Sequence, residues 1–101
     1  MIILKQTCTA CPEQYDAFIE NKQVGYLRLR HGIFTVLCPD HHGIIVYEAR
    51  PNGDGIFHYE ERDYYLRFAV HFIENWLHTL HTHSTTSQIK PPAPNVKYTI
   101  E

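Results

Sequence analysis

The stretch QVGYLRLRHGIFTVLC, residues Gln23 to Cys38, decides the fold of this chain. β-Branched, aromatic and leucine side chains fill it, and such residues favour a pleated, half-buried strand. In its first half Leu27 and Leu29 alternate with larger polar side chains, so the two sets point to opposite faces of a sheet. The leucine side is expected to meet a core. The other side carries three polar or aromatic side chains: Tyr26, Arg28 and Arg30.

Runs of similar character flank this stretch and predict an antiparallel meander of about four strands. A turn at His31-Gly32 divides the stretch in two. The predicted strands are residues 14–19, 23–30, 33–38 and 43–50, and residues 2–4 add a short edge strand. The turn before residue 23 is expected to bring Asp16 close to Arg28 as a cross-strand ion pair.

The periodicity then changes from two residues to 3.6. Apolar side chains recur at intervals of three and four between Glu60 and His81. This pattern predicts one long amphipathic helix packed across one face of the sheet. The predicted fold class is therefore α+β, with a single domain over residues 1–83 and a Ser/Thr/Pro-rich linker and tail over residues 84–101. Residues 95–100 of the tail predict either a last edge strand or a partner-binding segment.

Composition limits the classes of function. The chain has 101 residues, enough for one core, and 9 basic against 11 acidic residues. A net charge near zero argues against a general nucleic-acid binder. An odd number of cysteines and the lack of a long apolar run predict a cytoplasmic protein with no membrane partner. No recognisable catalytic motif is present, so we expect a protein that is not an enzyme.

Two pairs of soft ligands predict a candidate zinc site. Cys8 and Cys11 are three residues apart, as are Cys38 and His41. Paired ligands at this spacing are typical of tetrahedral zinc, and a metal would stabilise a small domain. The alternative is that these are reduced cysteines that pack as small apolar residues.

A second set of titratable residues lies on the predicted helix. His71, Glu74, His78 and His81 share one face of it, opposite the apolar stripe. A Glu-x3-His pair can hold a metal, whereas a face opposite the core is ordinarily solvated. The pattern favours the solvated face.

The third candidate is the polar side of the sheet. It combines Tyr26, Arg28 and Arg30 with Arg50 from the fourth strand. Arginine binds carboxylate or phosphate through two parallel hydrogen bonds, and tyrosine beside arginine is common at protein interfaces. The alternative is a solvated face whose arginines pair with neighbouring acids.

The segments PEQYD, residues 12–16, and QVGYLRLRHG, residues 23–32, occur here in order. Together with VYEA, GDGIF and ERDYYL further along, they resemble a family of small phage and prophage proteins of unassigned function. The resemblance covers about residues 11–73 and implies an origin in a mobile element, where small proteins often bind and inhibit host machinery.

These observations predict a small non-enzymatic protein that engages, and inhibits, a host protein through its Tyr/Arg face in the host cytoplasm. Two alternatives stay open: a zinc-stabilised structural module, and a binder of a nucleotide or other small anion. Trp76 and the tail strand are also consistent with a homodimer.

Overall fold

A computed structural model describes residues 1–8, 12–80 and 94–101 of the chain. Six strands and one helix follow one another in these ranges. They are β1 (Ile2–Cys8), β2 (Glu13–Ile19), β3 (Lys22–Arg30), β4 (Ile33–Cys38), β5 (Ile44–Ala49), α1 (Tyr59–Thr79) and β6 (Tyr98–Ile100). The order of secondary structure is therefore a run of strands, a helix and a last strand.

All six strands form one sheet in the order β5-β4-β3-β2-β1-β6. The first five pair antiparallel with their neighbours in sequence, and β6 joins β1 in parallel. The backbone N–H of Glu101 donates to the carbonyl of Leu4 at 2.8 Å, which extends that pairing beyond β6. The meander is formed by the first half of the chain, and its first strand, β1, pairs with β6 from the C-terminal end.

The turns of the two central hairpins are formed by residues in the left-handed backbone conformation. Glu20 and Asn21 have φ of 49° and 70°, and His31 and Gly32 have φ of 55° and 74°. Two consecutive residues with positive φ match the right-handed twist of the strands that they join. These turns fix the register in which Leu27 faces Val36 and Arg28 faces Thr35.

The core lies between the sheet and α1. Alternate residues of the strands are buried there, and α1 contributes Leu66, Ala69, Val70 and Ile73. Gly25 brings β3 close to the helix, since a Cβ atom at this position would lie 2.5 Å from Cδ1 of Ile73. A side chain there would force the side chain of Ile73 to shift.

The helix begins in a hydrogen-bonded loop. The carboxylate of Glu61 accepts from the backbone N–H groups of Asn52, Gly53 and His58 at 2.9, 2.8 and 3.0 Å. Burial acts to raise the pKa of Glu61, but these three hydrogen bonds outweigh it and hold the pKa below its usual range. Residues 51–58 are thereby tied to the first turn of α1.

The α+β class, the meander and the long C-terminal helix agree with the sequence prediction, but the strand count of about four was too low. β1 extends to Cys8, four residues beyond the predicted edge strand of residues 2–4, and it is not an edge strand because β6 pairs with it. The tail strand predicted within residues 95–100 is present as β6. The predicted helix end at His81 lies outside the described residues, which place the end of α1 at Thr79.

Candidate binding face

The sheet has two faces, and the described part of the chain places its one helix on the core side. We call the opposite side the open face. Strand alternation and cross-strand pairing assign the side chains to the two faces. On β2 to β5 the open face includes Gln14, Asp16, Phe18, Gln23, Tyr26, Arg28, Arg30, Ile33, Thr35, Leu37, Ile45 and Glu48. Three of the four residues predicted to bind, Tyr26, Arg28 and Arg30, therefore share this face.

A groove of about 370 Å³ lies on the open face. Its lining consists of Arg28, Arg30, His31, Ile33, Thr35 and Glu48. The register explains its shape: Thr35 lies between Arg28 on β3 and Glu48 on β5, so a short side chain separates two long ones. Ile33, the partner of Arg30, supplies an apolar wall at the turn end.

The two arginines of the groove form no ion pair with a described residue, although Glu48 lines the same groove. Arg28 is half-buried and Arg30 is exposed. Within residues 1–8, 12–80 and 94–101 neither guanidinium makes a hydrogen bond or an ion pair. Because an arginine stays protonated at all physiological pH, each presents a full set of donors to an incoming anion. The ion pair expected between Asp16 and Arg28 is absent from this part of the chain, since the register places Asp16 opposite Tyr26.

Tyr26 precedes Arg28 by two residues on the same face of β3 and lies next to the groove without lining it. Its hydroxyl donates to Oε1 of Gln14 at 3.3 Å, and its ring lies 5.9 Å from that of His41. Burial raises the pKa of Asp16, against the opposing effects of His41 and a hydrogen bond from Gln23. This part of the open face is more aromatic and less charged than the groove.

Arg50, the fourth predicted residue, follows β5 and is exposed. It does not line the groove. The structure thus brings together two of the predicted arginines and leaves the third beyond the end of the last meander strand.

The structure does not bring together the predicted zinc ligands that it describes. Cys8 on β1 and Cys38 on β4 are separated by two strands, which places them about 14 Å apart across the sheet. Cys38 is buried in the core, and that burial raises its pKa to about 12. Residues 1–8, 12–80 and 94–101 hold no group of three or more side chains able to bind a metal ion. Cys11 lies outside these ranges.

The histidine set on the helix is also only partly described. Glu74 and His78 are exposed, as a solvated face predicts, but His71 is half-buried. Nε2 of His71 is enclosed and makes no hydrogen bond to any described residue. His81 lies outside the described residues.

Sequence reasoning missed a buried ion pair. Glu13 is 3% exposed, and its carboxylate accepts from Nε of Arg62 at 2.8 Å and from Nη2 at 3.2 Å. The backbone N–H of Phe57, at 2.9 Å, and the hydroxyl of Tyr15 also donate to it. Burial acts to raise the pKa of Glu13, but the bonds from Arg62, Tyr15 and Phe57 hold it below its usual range.

One signal in the sequence indicates this pair. Tyr15 and Ala17 lie on the core side of β2, and the same two-residue alternation places Glu13 on that side. A carboxylate at such a position needs a buried partner. The sequence does not specify which arginine supplies it, because Arg62 is 49 residues away.

Comparison with known proteins adds no assignment: the chain matches no family model, no curated protein and no solved structure. No helix within the described residues is both long enough and apolar enough to span a membrane.

Proposed function

We propose that the chain is a binding protein that engages another protein through its open face. The carrying observation is that Arg28 and Arg30 line one groove and have no anionic partner among the described residues. Their side chains share one face of β3 and repeat every two residues, about 6.6 Å along the strand. An extended acidic segment, whose carboxylates on one side repeat at the same distance, matches that spacing.

The shape of the groove supports a protein as the partner. Small-molecule sites are concave and enclose most of their ligand. This groove lies open on a sheet surface and is lined largely by charged and polar side chains. Protein interfaces are enriched in arginine and tyrosine, the residue types that the open face presents.

The resemblance to small phage and prophage proteins supports a bacterial host protein as that partner, and inhibition as the consequence. The segment QVGYLRLRHG, which carries much of the resemblance, is β3 with the turn that follows it, so the familiar pattern coincides with the arginine strand. The protein would then act where its host partner is, in the cytoplasm.

A small anion is the second candidate. The groove volume of about 370 Å³ lies within the range of small-ligand sites, and phosphate binds paired arginines as carboxylate does. Under this alternative the chain would bind a nucleotide or a similar phosphorylated molecule.

The test compares three forms of the full chain in a pull-down from bacterial lysate, quantified by mass spectrometry. They are the wild type, the double variant Arg28→Glu with Arg30→Glu, and Lys97→Glu as a control for a charge change at an exposed site remote from the groove. We expect the double variant to recover at least tenfold less of the specific partner than the wild type does. The control should recover as much partner as the wild type. Equal recovery by all three forms would exclude the open face.

Thermal shift with inorganic phosphate, pyrophosphate and a nucleotide panel separates the two candidates. A small-anion site predicts a rise in melting temperature that saturates with ligand and vanishes in the double variant. A protein site predicts no such rise together with partner loss in the pull-down.

A further inference from the structure

An apolar surface adjoins the arginine groove on the open face. Leu37 of β4 lies between Tyr26 on β3 and Ile45 on β5 in the sheet register. The ring of His41, from the turn after β4, lies 5.9 Å from that of Tyr26. We call these four residues, Tyr26, Leu37, His41 and Ile45, the apolar platform.

The exposure of Ile45 needs an explanation that the core does not provide. Ile45 is 58% exposed, one of the more exposed large aliphatic side chains of the described residues. Single exposed aliphatic side chains are common on protein surfaces, but this one continues a cross-strand row in which Leu37 lies between it and Tyr26. Tyrosine and isoleucine grouped beside arginine are typical of the centre of an interface.

Addition of a partner strand to the edge of β5 is the competing explanation. β5 is an edge strand, and its neighbour Ile44 is 60% exposed. However, the register with β4 shifts at Val46, which leaves that residue without a partner as a β-bulge. Edge bulges twist a strand and oppose further pairing. Contact with the open face is therefore favoured over contact with the edge.

Building on the function proposed above, we propose that the apolar platform binds a large aromatic side chain of the same partner segment that places its acids on Arg28 and Arg30. The platform is one two-residue step along β3 from Arg28, because Tyr26 precedes it on the same face. The occupant is thus an extended acidic segment with an aromatic residue two positions beyond its acids. Its acids match the two arginines of the groove, and its ring matches the platform.

Synthetic peptides of about nine residues test this assignment by fluorescence anisotropy. One peptide has two glutamates at alternate positions and a phenylalanine two positions beyond them. A second replaces the phenylalanine with alanine, and a third moves it by one position, which turns its ring to the other side of the strand. Each is made in both chain directions, since the segment can run parallel or antiparallel to β3.

We expect the phenylalanine peptide to bind about tenfold more tightly than the alanine peptide, as burial of one aromatic ring allows. The shifted peptide should lose most of that advantage. In the variant Ile45→Ser the phenylalanine advantage should fall below about threefold. Ile44→Ser is the matched control, because Ile44 is adjacent and equally exposed but belongs to the other face, and it should leave the advantage intact.

The outcomes separate the two proposals. Equal binding of the phenylalanine and alanine peptides, still abolished by Arg28→Glu with Arg30→Glu, overturns the platform and leaves the acidic groove standing. Equal losses from Ile44→Ser and Ile45→Ser assign the contact to the β5 edge and also overturn the platform. Failure of every acidic peptide to bind the wild type refutes both. Circular dichroism melting of each variant confirms that the exposed serine substitutions leave the fold intact.

Discussion

The substitution Glu13→Gln probes the buried ion pair that links β2 to the helix. Glutamine keeps the size of the side chain but removes its charge, and its amide donors would face the donors of Arg62. Breaking a buried ion pair by changing one partner costs about 3–5 kcal/mol. The side chain of Arg62 is 30% exposed and can regain water in the variant, which favours the lower end. We therefore expect a loss of about 3 kcal/mol, a large fraction of the stability of a small domain.

Urea denaturation followed by circular dichroism measures this loss, and thermal melting gives a second estimate. For a chain of this size about 1 kcal/mol corresponds to 4–8 °C, so the melting temperature should fall by about 12–24 °C. The control is Asp63→Asn. Asp63 pairs with Arg67 at 2.7 Å and accepts from the hydroxyl of Tyr98 at 2.7 Å, but its side chain is 61% exposed and asparagine keeps an oxygen acceptor. This loss should therefore stay below about 1 kcal/mol. A loss from Glu13→Gln no larger than that of the control would refute the account of the buried pair.

The pH dependence gives an independent check. The pKa of Glu13 is lower in the folded chain than in the unfolded chain. Its contribution to stability is therefore present above the unfolded pKa, about 4.3, and is lost as the pH falls through the folded value. The wild type should lose stability below about pH 4 more steeply than Glu13→Gln does. Parallel curves for the two proteins from pH 7 to strong acid would contradict a depressed pKa.

Three further predictions concern other contacts. Gly25→Ala should destabilise the fold by about 1–3 kcal/mol because the new Cβ would contact Ile73. In the double variant, Ile73→Val should recover part of that loss. Additive losses of the two substitutions in urea denaturation would contradict the close approach. Because Cys38 is buried, its thiol should react slowly with a disulfide reagent in a variant that retains it as the only cysteine. At pH 8 the rate in the folded protein should be at least about 100-fold lower than in denaturant. Similar rates would show that the thiol is accessible. Glu61→Ala should cost about 1–2 kcal/mol through loss of three backbone hydrogen bonds at the start of α1, and an unchanged urea midpoint would exclude that role.

The sequence predicted the strands and the helix whose own hydrophobic periodicity matches the face that they bury in the fold. Alternation identified β2 to β5, and the 3.6-residue period identified α1 to within two residues of its described end. The failures lie where distant segments meet. The full length of β1 depends on the pairing of its residues 5–8 with β2, whereas β6, from the last residues of the chain, pairs with Ile2 to Leu4. Nothing local to residues 5–8 distinguishes that strand from a loop.

The candidate site was predictable to a similar extent. Alternation along β3 placed Tyr26, Arg28 and Arg30 on one face, because a period of two is a property of the strand itself. The groove was not predictable, since it depends on which residues of β4 and β5 come opposite the arginines. Thr35 and Glu48 enter the site through the β3-β4 and β4-β5 registers, and Arg50 is excluded from it because β5 ends at Ala49.

Two half-buried arginines of this chain differ in their partners: Arg62 forms an ion pair with a described carboxylate, and Arg28 does not. Arg62 is held by a buried carboxylate and joins two elements that are far apart in sequence, so its place in the fold is explained by stability alone. Arg28 occupies a position of comparable burial at the centre of the sheet, yet the described residues offer it no carboxylate, although Glu48 lies two strands away on the same face. An arginine with no ion-pair partner among the described residues gains no ion-pair energy from folding. Its position is accounted for if the compensating anion belongs to another molecule, and the groove beside it is where that anion would bind.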